Sequence, residues 1–293
     1  MGWIMGRRHR AFVTCLSVIA VGGATACGGE AANPGASGVV SPVAGTSSRA
    51  TSQTRATVAA PLGAWYHDPG VVDVHQFFES EAALAAWRNS DPVARLPQLQ
   101  IPSDKLSSMT SAALAETSLA FPLWTDRMAY TTPQQGFEAV LSSFNGLREL
   151  QTRPDGAESL LAIYLRTNMA QIAASPGRPA LSFGDLAMSL AQDAALAQLT
   201  PAQRVQLLEA SLEKLQTINR DHPDVFSADE LTWLVAKLVV KDFPESAALV
   251  ARRPEIVTYL RTGQAVAGEA ASADIGATIR QILTDRGYDT DLS

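Results

Sequence analysis

Thr200-Pro201-Ala202-Gln203-Arg204-Val205-Gln206-Leu207-Leu208-Glu209-Ala210-Ser211-Leu212-Glu213-Lys214-Leu215 reads as one helix with its start marked. Thr200 is placed to accept from an orphan amide of the first turn. Pro201 sits where its missing N–H does no harm, and Gln203 can reach back to the cap. Val205, Leu208, Leu212 and Leu215 then recur at steps of three, four and three residues, which lays an apolar stripe along one helix face. The same opening device stands at Thr132-Pro133-Gln134-Gln135, and the pairs Asp155/Glu158 and Ser227/Glu230 have capping-box spacing. Each such cap stabilises its helix by about 1 kcal/mol. Beyond the cap the two T-P-x-Q helices do not match at a fixed period, so the device is not an internal repeat.

Working outward, helical periodicity covers most of 61–293 and strand alternation is nearly absent. A short Ala/Leu helix is expected over 80–87, then two helical pieces over 106–130 broken at Pro122, whose ring clashes with the preceding turn. Apolar stripes follow at Phe137, Val140, Leu141, Phe144 and Leu147. Others are Leu161, Tyr164, Leu165, Asn168 and Ile172; Leu186, Leu190, Ala194 and Ala197; Leu231, Leu234, Val235 and Leu238; and Ile275, Ile279, Ile282 and Leu283. The fold class this predicts is all-α, a multi-helix bundle of about eight to ten helices. If the bundle divides into subdomains, the seam falls at 175–181, in Ser175-Pro176-Gly177-Arg178-Pro179 and the residues after it. Val71-Val72-Asp73-Val74 is read as a short extended stretch crossing the bundle.

Residues 1–26 read as a signal peptide. Arg7, Arg8 and Arg10 form a basic n-region, residues 11–21 an uncharged apolar run, and Ala24-Thr25-Ala26 a small-residue cleavage site. The run is too short to span a bilayer, which needs roughly 20 residues. With Cys27 next in line, the segment resembles a bacterial lipoprotein export signal over residues 1–28. That resemblance implies that Cys27 takes a diacylglyceryl thioether and becomes the mature terminus. Position −3 is Ala24, where such signals usually carry Leu, and ordinary signal-peptidase cleavage after Ala24-Thr25-Ala26, giving a freely secreted extracellular protein, is the competing reading. Cysteine usage agrees: of two cysteines, Cys15 leaves with the signal and Cys27 remains as the sole thiol of an exported protein. Residues 27–60 would then be the lipidated cysteine and a disordered Gly/Ala/Ser/Thr/Pro tether, with a reach of roughly 30 Å. Residues 61–293 form the helical domain.

Lys+Arg number 23 against 29 Asp+Glu, a net charge of −6 that becomes more negative once the signal is removed. Nucleic acid is therefore excluded as a main partner, since phosphate binding needs surplus Lys and Arg. Two cysteines exclude a four-thiolate zinc site and a disulfide-stapled scaffold. His67, Asp68, Asp73 and His75 are the one local cluster of ligand-type residues, but their spacing matches no metal motif, and neither a metal nor a cofactor is expected. No G-x-S-x-G elbow or Gly-rich phosphate loop is present outside the tether's Gly35-Ala36-Ser37-Gly38. Asp126, Glu138, Glu149 and Asp185 are the acids that would have to converge for paired-carboxylate chemistry.

The densest large-apolar stretch, Phe121, Trp124, Met128 and Tyr130, lies close in sequence to the odd Phe144-Asn145-Gly146 break, and these six residues from Phe121 to Asn145 are the candidate ligand pocket. The reading is an exported, lipid-anchored helical binding or interaction module of the bacterial cell envelope, without catalysis. Its partners are the membrane, through the anchor, and a protein or small-molecule ligand of the envelope. Two alternatives stand beside it: an envelope hydrolase whose carboxylates converge only in the fold, and a self-assembling structural component.

Overall fold

The structure is a computed structural model that describes residues 65–77, 81–175, 177–264 and 269–290. The export signal, Cys27 and the tether lie outside the described residues. Among the described residues there is no strand, and fifteen α-helices and one 3₁₀ helix follow in order. They are α1 Glu81–Arg88, α2 Pro92–Gln98, α3 Ser103–Ser108, α4 Ser111–Leu119, the 3₁₀ helix η1 Pro122–Ala129, α5 Pro133–Ser143, α6 Asn145–Thr152 and α7 Gly156–Arg166. After these come α8 Met169–Ala173, α9 Arg178–Leu190, α10 Asp193–Gln198, α11 Pro201–Asp221, α12 Asp229–Asp242, α13 Ser246–Arg252, α14 Pro254–Thr262 and α15 Glu269–Asp285.

The expected all-α class holds, and the expected helix number was too low because long stripes are cut by single extended residues. Phe144, at φ −127° and ψ 118°, ends α5 and starts α6. The stripe through Leu161 and Ile172 is cut after α7, and Asn168 caps α8 by accepting from the Gln171 amide at 3.2 Å. Gln192, also extended, resets the register between α9 and α10, so Ala195, Leu196 and Leu199 are buried and the anticipated Ala194 and Ala197 face solvent. Pro122 does break its segment, into α4 and η1.

Cap chemistry explains several starts. Thr200 and Gln203 form the reciprocal box, and Thr132 accepts from the Gln135 amide at 3.1 Å. The other two expected boxes are not formed. Asp155 accepts from the Ser111 hydroxyl at 2.6 Å and makes no cap bond, and Glu230 turns to Arg127. In both cases a tertiary donor outcompetes the local amide.

The core is one cluster whose largest fully buried members are Trp233, Tyr164, Phe121, Phe137, Phe144 and Phe183. Helices α9 and α12 run through it, and α9 also packs on α7. The described residues all fall in a single compact unit. Helix α5 lies tight against η1: a Cβ on Gly136 would stand 2.6 Å from the Arg127 carbonyl oxygen, so only glycine permits that approach. Residues 65–77 form an irregular strap, with Trp65, Tyr66, Val71 and Phe77 against the core. Asp73, at φ 69°, turns the strap in the left-handed region that Asp tolerates better than most residues.

Candidate functional site

Glu116 on α4 is 1% exposed, and a carboxylate so placed must be fully partnered. Its Oε1 accepts from the Asp68 amide at 2.8 Å and from Arg166 Nη2, on α7, at 2.9 Å. Its Oε2 lies 3.0 Å from His67 Nδ1. Arg166 also donates to the Tyr66 carbonyl and lies 3.4 Å from Asp68 Oδ2. One residue on, Thr117 Oγ1 accepts from the His75 amide at 3.0 Å. Adjacent residues of α4 thus hold the strap through its main chain, and charge-assisted bonds give that hold its strength.

This geometry separates the four weak metal candidates. His67 and Asp68 go to Glu116 and Arg166, Asp73 is exposed, and His75 lies edge-on to Phe77 at 5.2 Å. Burial, with a lesser contribution from Lys105, pulls the His75 imidazole below its ordinary range. Among the described residues no three His, Cys, Asp or Glu side chains come together to hold a metal ion.

Beside the strap clasp lies a groove of about 180 Å³ between α4 and α7. Ala112, Ala162 and Ile163 supply apolar wall, while Glu116, Arg166 and the Asp155/Glu158 end supply polar groups. A second cavity, of about 10 Å³ near Leu160 and Gln198, holds at most one water. The α4/α7 groove therefore sets an apolar wall beside charged and polar groups.

Two polar clusters are sealed in the core. In the first, Arg127 on η1 donates from Nε to Asp185 Oδ1 on α9 at 2.6 Å and from Nη2 to Glu230 Oε1 on α12 at 3.1 Å. The three side chains are only 11%, 4% and 13% exposed. Burial pushes the Asp185 carboxyl up to about 6, against the pull of Arg127. Burial lowers the Arg127 guanidinium, but its two carboxylates more than offset this and hold it above the ordinary range.

The second cluster joins Tyr164 Oη to Ser211 Oγ at 2.9 Å and places Lys214 Nζ 5.4 Å from the Tyr164 ring centre. Ser211-x-x-Lys214 has the spacing of acylating serines in some hydrolases, a signal the sequence reading passed over. Here Ser211 donates to the Leu207 carbonyl at 2.6 Å, Lys214 donates to the Thr167 carbonyl at 2.9 Å, and Tyr164 and Ser211 are wholly buried. Substrate has no approach to that hydroxyl, and the cluster serves the core. Burial lowers the Lys214 amine, with Glu213 acting weakly against it.

The expected aromatic pocket is filled with its own side chains. Phe121 and Phe144 stack at 4.4 Å and are completely buried, and Trp124 donates to the Ser118 carbonyl at 2.6 Å. Asn145 is a clasp: its side chain accepts from the Ile101 amide at 3.0 Å and donates to the Ile101 carbonyl at 2.8 Å. Met128 and Tyr130 stand exposed, and neither described cavity is lined by any of the six. The four acids named for paired-carboxylate chemistry also go separate ways. Glu138 accepts from Gln134 and Glu149 pairs with Arg153, while Asp126 stays on η1, its carboxyl raised by burial.

Comparison with known proteins finds no matching family model, no matching curated protein and no matching solved structure.

Proposed function

We propose that this protein is an exported, lipid-anchored binding module of the bacterial cell envelope, and that it works without catalysis. The anchor rests on the order of features in residues 1–60: basic n-region, apolar run, small residues, Cys27 and a stem without periodicity. No described helix is long and apolar enough to cross a membrane, so a lipid on Cys27 is the membrane attachment the reading relies on.

The observation that carries the binding role is the α4/α7 groove. Ala112, Ala162 and Ile163 give it an apolar wall, Asp155, Glu158 and Ser159 line it with polar groups, and the Glu116–Arg166 pair of the strap clasp borders it. Rigid placement of a few polar groups in an apolar setting is what a recognition site needs. The chemistry-bearing clusters elsewhere, at Arg127 and at Lys214, are occupied with holding helices together.

A photo-crosslinking residue placed at Ala162 in the groove tests this reading in intact cells. The expected result is a discrete adduct that disappears when Ser159→Trp fills the groove, with no adduct from the same probe at exposed Val205. Equal labelling at both positions, or none at Ala162, would overturn it.

A further inference from the structure

The chain running from Cys27 meets the described body at Trp65, and the next three residues are the ones the clasp holds. Arg166 donates to the Tyr66 carbonyl, while Glu116 accepts from the Asp68 amide and faces the His67 ring. Further along, Thr117 accepts from the His75 amide at 3.0 Å, and Phe77 lies edge-on to Phe121 and Phe144 at 5.8 and 5.6 Å. The helices that supply the clasp, α4 and α7, pack on each other and on α6 and α9. We propose that the strap is a tension-release joint between the anchor and the body: a pull from Cys27 peels residues 65–77 off α4 and α7 while the helices stay folded. The inference rests on the anchored reading, since only a chain held at that end is pulled through it.

Geometry makes the strap the first element to yield. It belongs to no helix or strand, so a pull from Trp65 meets its bonds one after another instead of together. Trp65 adds little resistance. Its ring lies edge-on to Phe183 at 6.2 Å, and its indole N–H is buried with no partner among the described residues. An unmade buried hydrogen bond favours the open state, where water supplies it. The Arg166 and His67 side chains are 37% and 36% exposed, so water can take the place of the strap as their partner. Glu116 has no such access. When the strap leaves, it keeps Arg166 and loses the Asp68 amide, and that loss makes the opening abrupt. The means of closing again are local: Asp68 Oδ1 accepts from the Gly70 amide at 2.8 Å, and the Asp68 carbonyl accepts from the Val71 amide at 2.9 Å. The next main-chain clasp along the line of pull is Asn145 on Ile101. Glu116 and Arg166 also border the α4/α7 groove, so opening the joint alters the groove at that edge.

The test is force spectroscopy on the full chain carrying Cys15→Ser, made in the cytosol and pulled between the Cys27 thiol and a C-terminal tag. A reversible step of at most about 45 Å, the span of the extended strap, should precede the main unfolding. Moving the handle to exposed position 82, as Ala82→Cys with Cys27→Ser, bypasses the strap and should abolish that step. Glu116→Gln, which weakens a charge-assisted bond, should raise the opening rate at a given force about tenfold. Thr117→Val removes the acceptor of the His75 amide and should act in the same direction, which keeps the test open if Glu116→Gln does not fold. Unfolding with no earlier step, a step that survives the move to position 82, or opening rates that neither variant changes would overturn the proposal. The handle stands in for the lipid, so these outcomes do not depend on acylation of Cys27, and a chain found unacylated in cells would defeat the anchored reading by a separate measurement.

Discussion

Arg166 of α7 and Glu116 of α4 meet at 2.9 Å, and both also grip the main chain of the strap, at the Tyr66 carbonyl and the Asp68 amide. The pair therefore does two jobs at once. It locks two core helices at the edge of the groove, and it fastens the segment that leads into the domain.

Removing the carboxylate should undo both. Glu116→Ala leaves Arg166 without its buried counter-ion and Asp68 with an unpaired amide. Loss of one member of a buried pair costs about 3–5 kcal/mol, and the partial exposure of Arg166 puts this case at the lower end. Urea unfolding should show a fall of about 3 kcal/mol. Limited proteolysis should cut within 65–77 before any helix is attacked.

Two glycine-to-alanine changes should have opposite signs. A Cβ on Gly156 would lie 2.0 Å from the Leu150 carbonyl oxygen, which cannot move without breaking the turn between α6 and α7. Gly156→Ala should destabilise by about 1–3 kcal/mol or more, the range for overpacking. Gly276, inside α15, has nothing within 4 Å of that position, and Gly276→Ala should stabilise by about 0.5–1 kcal/mol. Paired melting curves check both.

The caps should rank in stability. Thr200 shares a reciprocal box with Gln203, whereas Thr132 makes a single cap bond. Thr200→Ala should cost about 1–2 kcal/mol and Thr132→Ala about 1 kcal/mol, read from chemical denaturation.

Lys214 predicts a pH effect of its own. Its amine titrates below the ordinary lysine range in the fold because burial penalises the charge. The unfolded chain therefore binds this proton more tightly, and stability contributed here rises with pH toward 10.5. Lys214→Met should flatten the alkaline arm of the stability profile. An unchanged alkaline slope in the variant would show that the amine is solvated.

The helical class was legible because the stripes repeat at helical spacing over most of 61–293. The T-P-x-Q starts were legible because their capping is local. Breaks at Phe144 and Gln192 were not, since an extended residue there is fixed by tertiary partners such as the Asn145–Ile101 clasp. Asp155 and Glu230 looked like cap residues because the competing donors, Ser111 and Arg127, are 44 and 103 positions away. The same distance hid the site. His67 and Asp68 were visible as chemistry-bearing residues, but Glu116 and Arg166 join them only across 49 and 98 positions. The aromatic segment was read as a pocket because sequence shows large side chains without showing that they fill each other's space.

Mass spectrometry of the mature amino terminus, from membrane fractions of the wild type and of Cys27→Ala, tests the central claim most directly. The account predicts a wild-type terminal peptide that begins at Cys27 and carries a diacylglyceryl thioether, and a Cys27→Ala chain without lipid. A wild-type terminus beginning at residue 27 with a free thiol, or one that still contains residues 1–26, would contradict it.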